Sequence, residues 1–230
     1  MQDLPFDLFA TKSLEYVLIL GFLAALLVFW RVLNRRVPNA VTPLPAGPHA
    51  STKSGWFQLA LERVYHPGHA WAQPREDGLV TVGVDDFAQK LVGAPGAIEL
   101  PRVGEHLHQG GAASRFAIGD KALEFVSPIE GEVVERNEAL FADPGRVNRD
   151  PYGAGWLYRV RPAHFDADAQ HLLADESAAA WADSMEERLR KQMSPSLGLL
   201  LQDGGVPVSG LARVLAGERW DEFARDFLIR

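Results

Sequence analysis

Residues 117–128 read A-I-G-D-K-A-L-E-F-V-S-P. Gly119-Asp120 is a strong turn dipeptide. Phe116, Ala117 and Ile118 precede it, and Ala122 to Val126 alternate apolar and polar until Ser127-Pro128 stops them. Period-two runs on either side of a tight turn predict a β-hairpin with Gly119, Asp120 and Lys121 at an exposed tip. The same grammar extends outward. Residues 79–84, L-V-T-V-G-V, are rich in β-branched side chains. Asp85 and Asp86 then open a short helix over 87–91, with a carboxylate at the N-cap. Residues 97–100 form a further strand, stopped by Pro101. Residues 129–134 resume the pattern through Gly131, and residues 156–161 alternate over six positions. Many short strands punctuated by Gly and Pro predict a mainly β fold, a sandwich or barrel.

Ahead of this lies a segment of different character. Residues 17–30 are an unbroken apolar run, V-L-I-L-G-F-L-A-A-L-L-V-F-W, which Leu14, Val32 and Leu33 lengthen. About 20 residues at 1.5 Å each cross the hydrocarbon core of a bilayer. No amphipathic stripe marks it as a core helix. A signal peptide needs a basic start and a small-residue cleavage site, whereas Asp3 and Asp7 make this start acidic. The segment 14–33 is therefore expected to be a retained transmembrane helix after a short flank, 1–13. Arg31, Arg35 and Arg36 follow it, so the positive-inside rule puts the N-terminus outside and the remainder in the cytoplasm, at the inner membrane. Residues 38–54, crowded with Pro and Gly, read as a semi-extended linker within a juxtamembrane region over 34–64.

The 230-residue chain carries a net charge of −7, which argues against nucleic acid and against broad adhesion to anionic lipid. It has no cysteine, which excludes disulfides, thiolate metal sites and thiol catalysis.

Taken together, Y-H-P-G-H-A-W (65–71), T-V-G-V-D-D-F-A-Q (81–89), E-L-P-R-V-G (99–104), S-P-I-E-G-E-V-V-E-R-N-E-A-L (127–140) and V-N-R-D-P-Y-G-A-G-W-L-Y-R-V-R-P (147–162) resemble, in order and spacing, the H protein of the glycine cleavage system. The resemblance implies a lipoyl-type β-sandwich, or flattened barrel, over 65–175, followed by a helical extension over 176–230. It also implies a carrier that holds lipoate on one lysine at a hairpin tip, in a segment like E-S-V-K-A, and that is not itself an enzyme. Gly153, Gly155 and Trp156 match the family's G-x-G-W, Asn148 and Tyr152 match nearby positions, and His69-Ala70-Trp71 stands for its His-Glu-Trp. These are mostly fold residues.

The carrier position is where the chain departs. Counting from E-L-P to S-P without a gap, the slot of the lipoyl lysine falls on Asp120, and Ala117-Ile118-Gly119 replaces E-S-V. Lipoate joins a lysine amine through an amide, which a carboxylate cannot form. Lys121 has the right chemistry one residue on, but a one-residue shift in a hairpin changes the face and phase of a side chain. The expected cofactor is therefore none, with lipoate on Lys121 as the alternative.

Two histidine pairs, His66 with His69 and His106 with His108, have metal-like spacing. No third ligand is visible near either, so no metal site is expected. Past the module, Asp166 or Asp168 is expected to cap a helix running to about Met193, with Leu173, Trp181, Met185, Leu189 and Met193 near one stripe. Ser194-Pro195 should stop it. After Leu197 to Leu201 and a turn at Asp203-Gly204-Gly205, a last helix from about Ser209 carries Leu211, Val214, Leu215, Trp220, Phe223, Phe227 and Leu228. That apolar face suits packing on its own domain or a partner protein.

Three readings follow. One is a single-pass membrane protein presenting a non-carrier H-protein-like domain to the cytoplasm, docking through that domain and the C-terminal helices as an accessory subunit of a membrane complex. Another is a membrane-tethered carrier modified on Lys121. The third is a scaffold that binds another protein's lipoyl arm.

Overall fold

The structure is a computed structural model that describes residues 16, 18–27, 29, 51–197, 209–210, 212 and 219–228. The chain divides into two compact units, Met1–Gly47 and Pro48–Arg230. In the first, every described residue is helical and exposed. Leu18, Leu20, Phe22 and Leu27 each leave 65–67% of their surface uncovered. Among the described residues no helix is long and apolar enough to cross a membrane. The ends of the expected 14–33 span, its flank 1–13 and the basic cluster after it lie outside the described residues.

The second unit is mainly β. Its strands are β1 (Ser51–Ser54), β2 (Phe57–Ala60), β3 (Val64–Tyr65), β4 (Ala70–Pro74), β5 (Val80–Val84), β6 (Ala97–Glu99), β7 (His106–Leu107), β8 (Ala112–Ile118), β9 (Lys121–Val126), β10 (Gly131–Arg136) and β11 (Tyr158–Pro162). The helices are α1 (Asp86–Val92), α2 (Ala139–Ala142), α3 (Arg146–Arg149), α4 (Phe165–Ala169), α5 (Asp175–Leu197) and α6 (Trp220–Phe227). One sheet has the order β3-β4-β5-β11-β10-β7, a second β6-β8-β9, and β1-β2 forms a separate hairpin. One apolar core takes Val82, Val133 and Val160 from the first sheet and Phe116, Leu123 and Phe125 from the second, which makes the unit a sandwich. Burying each such side chain stabilises by roughly 1.5–3 kcal/mol. A further cluster lies under α5, where Leu59, Tyr65, Trp71, Tyr152, Ala178 and Ala182 meet.

Local signals explain the elements around the core. The Asp85 carboxylate caps α1 by accepting from Ala88 N at 2.8 Å. At Gly131, φ is +156° and a Cβ would lie 2.2 Å from the Arg161 carbonyl oxygen, so only glycine lets β10 and β11 close there. Tyr152 ties three segments together: its hydroxyl accepts from Asp86 N at 3.1 Å and donates to Gln58 O at 2.7 Å. Asn148 donates to the Gln89 carbonyl at 2.9 Å. The family-like residues thus hold the fold.

Three expectations need correction. The juxtamembrane region 34–64 is not linker to its end, because β1, β2 and the start of β3 fall within it and Trp56, Phe57, Leu59 and Ala60 are buried. Glu186 on α5 accepts from Trp56 N at 2.8 Å, and the Arg190 guanidinium lies 4.3 Å from the Trp56 ring centroid. Phe57, Gln58 and Leu59 alternate as a strand does, directly after the stretch rich in Pro and Gly. Next, the helix expected from Asp166 or Asp168 is two helices. Leu173 exchanges both backbone hydrogen bonds with Tyr65 at 2.8 Å, which draws the chain out of helix between α4 and α5. Asp168 does not cap; its carboxylate accepts from Glu130 N at 2.8 Å. Ser194-Pro195 does not end α5, which continues to Leu197. Proline's fixed φ is helical, and so near the helix end it removes few backbone bonds.

The last expectation resolves in favour of self-packing. Trp220, Phe223, Ala224, Phe227 and Leu228 of the C-terminal segment are buried in the sandwich's own core. The apolar face of α6 is therefore not free for a partner. Residues 201–205, with the expected turn, and Leu211, Val214 and Leu215 of the expected last helix lie outside the described residues.

Candidate functional site

β8 and β9, at Ala112–Ile118 and Lys121–Val126, form the hairpin expected around Gly119-Asp120. Their register pairs Phe116 with Leu123, Ala117 with Ala122 and Ile118 with Lys121, leaving Gly119-Asp120 as a two-residue turn. Gly119 has φ +64°, as the first central position of a type II′ turn requires. Alternation sends Ser114, Phe116, Ile118, Leu123 and Phe125 inward. Phe116 and Phe125 meet edge to face with centroids 4.7 Å apart, which anchors the hairpin below its tip.

Gly119, Asp120, Lys121 and Ala122 are all exposed. Asp120 stands on the turn itself. Lys121 opens β9 opposite Ile118, so its register belongs to the face that Phe116 and Leu123 turn toward the core, here at the sheet's open end. The two residues thus present a carboxylate at the apex and an amine one step down on a defined face. On the outer side, Arg115 pairs in register with Glu124. With Glu99, Arg102 and Glu105 they line a shallow groove open to solvent. Its mixed charges suit contact with a polar surface better than enclosure of a small apolar ligand.

The histidine pairs separate. The His66 Nδ1 accepts from Gly68 N at 2.9 Å. His69 is fully buried, with Nδ1 2.8 Å from an Asp85 carboxylate oxygen and Nε2 2.6 Å from the Phe227 carbonyl oxygen. It stacks on Phe87 and touches Trp181. This histidine therefore joins the α1 cap to the end of α6, a role that sequence spacing gives no sign of. His106 and His108 do come together, and the fold adds Glu130 beside them.

A family profile described as "Glycine cleavage H-protein" matches residues 63–185. The "Probable glycine cleavage system H protein" of Pyrococcus horikoshii is 36% identical over 131 residues, covering 57% of this chain and 97% of that protein. The "Glycine cleavage system H protein" of Rhodospirillum rubrum is 36% identical over 118 residues, covering 51% of this chain and 93% of its own length. Among solved structures, a glycine cleavage system H protein from Mycobacterium marinum matches with TM-score 0.47 and 31% identity, over 54% of this chain and 97% of that one.

Proposed function

Because the chain belongs to the glycine cleavage H-protein family, we propose that it presents a non-carrier H-protein-like domain to a protein partner, as an accessory or docking subunit of a membrane complex. The role is not enzymatic. The observation that carries the reading is Asp120, at the apex of the β8–β9 turn and in the slot that the E-L-P to S-P spacing assigns to the lipoyl lysine. A carboxylate there cannot take lipoate.

The tether is the apolar segment 14–33. Its support is the unbroken run over 17–30 and the uncovered large apolar side chains among the described residues there, such as Leu18, Leu20, Phe22, Leu27 and Phe29. Arg31, Arg35 and Arg36 after the run orient the chain with its N-terminus outside and its domain on the cytoplasmic side of the inner membrane. Docking falls to the lipoyl-like domain, since α6 has its apolar face in the core.

The second reading, a tethered carrier, has one observation in its favour. The Lys121 amine is exposed directly after the turn. Intact mass of the full chain, purified in detergent from cells with an active lipoate ligase, separates the two. The docking reading expects the unmodified mass. An added mass of about 188 Da located on Lys121 would establish the carrier reading instead.

A further inference from the structure

The register of β7 on β10 brings metal-ligating groups from two segments of the chain together. Leu107 pairs with Gly131 and His106 with Glu132. Leu107 points into the core, so positions 106 and 108 stand on the outer face. The same alternation puts Glu130 and Glu132 on that face, one on each side of Gly131. The ligand atoms of His106, His108 and Glu130 all lie within 4.8 Å of one another. His108 Nδ1 is 3.6 Å from a Glu130 carboxylate oxygen, and the two imidazole centroids are 5.4 Å apart.

The backbone under these side chains is held firmly. Glu130 N donates to the Asp168 carboxylate at 2.8 Å, and its carbonyl accepts from Ala163 N at 3.1 Å. The His108 carbonyl accepts from Gly111 N at 3.0 Å. Between the two, the Gln109 amide donates to the carbonyls of Pro128 and Asp168, each at 2.9 Å. The side chains themselves are open to solvent, 77% exposed at His108 and 43% at Glu130. A tetrahedral zinc ion with bonds of about 2.0–2.2 Å needs ligand atoms about 3.4 Å apart. Glu132, across from His106, is already paired with Arg161 at 3.3 Å, which leaves the fourth position to water.

We infer that His106, His108 and Glu130 form a binding site for a borderline divalent cation, with zinc as its type. Two imidazoles and one carboxylate select zinc-class ions over calcium or magnesium, which want oxygen ligands. The site lies on the sheet opposite the β8–β9 hairpin, so it stands or falls independently of the docking reading.

The test is a titration of the tag-free full chain in detergent with Zn²⁺ alone, read by competition with a chromophoric chelator. One saturable ion per chain is expected, with weaker binding in acid because imidazole ligates only when neutral. His106→Ala, His108→Ala and Glu130→Gln should each weaken binding by roughly tenfold or more, no less than the loss of an outer partner costs. His171→Ala, at an exposed histidine outside the cluster, should leave it unchanged. Far-UV circular dichroism checks that the variants fold. Absence of a saturable site, or wild-type affinity in any of the three variants, overturns the assignment.

Discussion

Truncating Phe227 to alanine asks whether α6 belongs to the fold or is held ready for a partner. Phe227 is 4% exposed. Its ring lies 4.8 Å from Phe223 and 6.4 Å from Phe87, with the Arg188 guanidinium 5.3 Å from its centroid. Core Phe→Ala changes cost about 3–5 kcal/mol through lost transfer energy and the cavity left behind. Contact with aromatic rings on both α1 and α6 favours the upper part of that range, since each pair adds about 0.5–1.5 kcal/mol. Total stabilities run from about 5 to 15 kcal/mol, so the change removes a large share. At about 2–4 °C per kcal/mol, Tm should fall by roughly 6–20 °C. The Phe227 carbonyl, which accepts from His69, is left in place, so the measurement isolates packing. Urea unfolding of the full chain in non-ionic detergent, followed by tryptophan fluorescence, reads the difference. Phe141→Ala is the control. That side chain is 47% exposed, and its loss should cost less than about 1 kcal/mol. A Phe227→Ala cost as small as the control's would refute the packing argument and return α6 to the role of partner-binding helix.

Two further outcomes are expected. Burial first, and the neighbouring His69 second, hold the His66 imidazole below its ordinary value of 6.5. The unfolded chain then binds more protons below pH 6.5, so this contribution to stability is complete above that pH and is lost as pH falls through the lowered value; the urea midpoint should drop in acid, and His66→Gln should flatten that drop. At the hairpin tip, the double change Asp120→Lys with Lys121→Ala, expressed with a lipoate ligase, should add about 188 Da; an unmodified product would mean that Ala117-Ile118-Gly119 also blocks recognition and that Asp120 is not the sole barrier.

Features written in short-range patterns were legible in the sequence. The β8–β9 hairpin, the Asp85 cap and the alternating strands depend on neighbours two to four residues apart, and the structure has them there, with β10 and β11 starting two residues later than the pattern, at Gly131 and Tyr158. Features made by distant residues were not. Glu130 joins His106 and His108 only through the β7–β10 register. His69 finds its second acceptor 158 residues away, at Phe227. The break between α4 and α5 comes from a backbone bridge between Leu173 and Tyr65, which no local propensity encodes. The β1–β2 hairpin is an intermediate case. Its alternation is local, but what makes it fold is contact with α5 and α1, remote in sequence.

The elements outside the family match limit where a partner can bind. The match covers residues 63–185, with β1–β2 before it and α6 after it. Both close on α1. The Asp86 carboxylate takes Gln58 N at 2.8 Å, and Lys90 bonds the Trp56 carbonyl at 3.2 Å and the same Asp86 at 2.6 Å. From the other side Gly210 N donates to the Lys90 carbonyl at 2.8 Å, and Phe227 lies over Phe87. Six of the seven α1 residues are buried as a result. The additions therefore use their apolar surface internally and seal one wall of the sandwich. The β8–β9 tip, with Asp120 and Lys121, stays open. If the additions existed to recruit a partner, their apolar side chains would face solvent, and those of α6 do not. On the proposed docking reading, recognition of a partner falls to the matched module, whose tip carries Asp120 where the spacing assigns the lipoyl lysine.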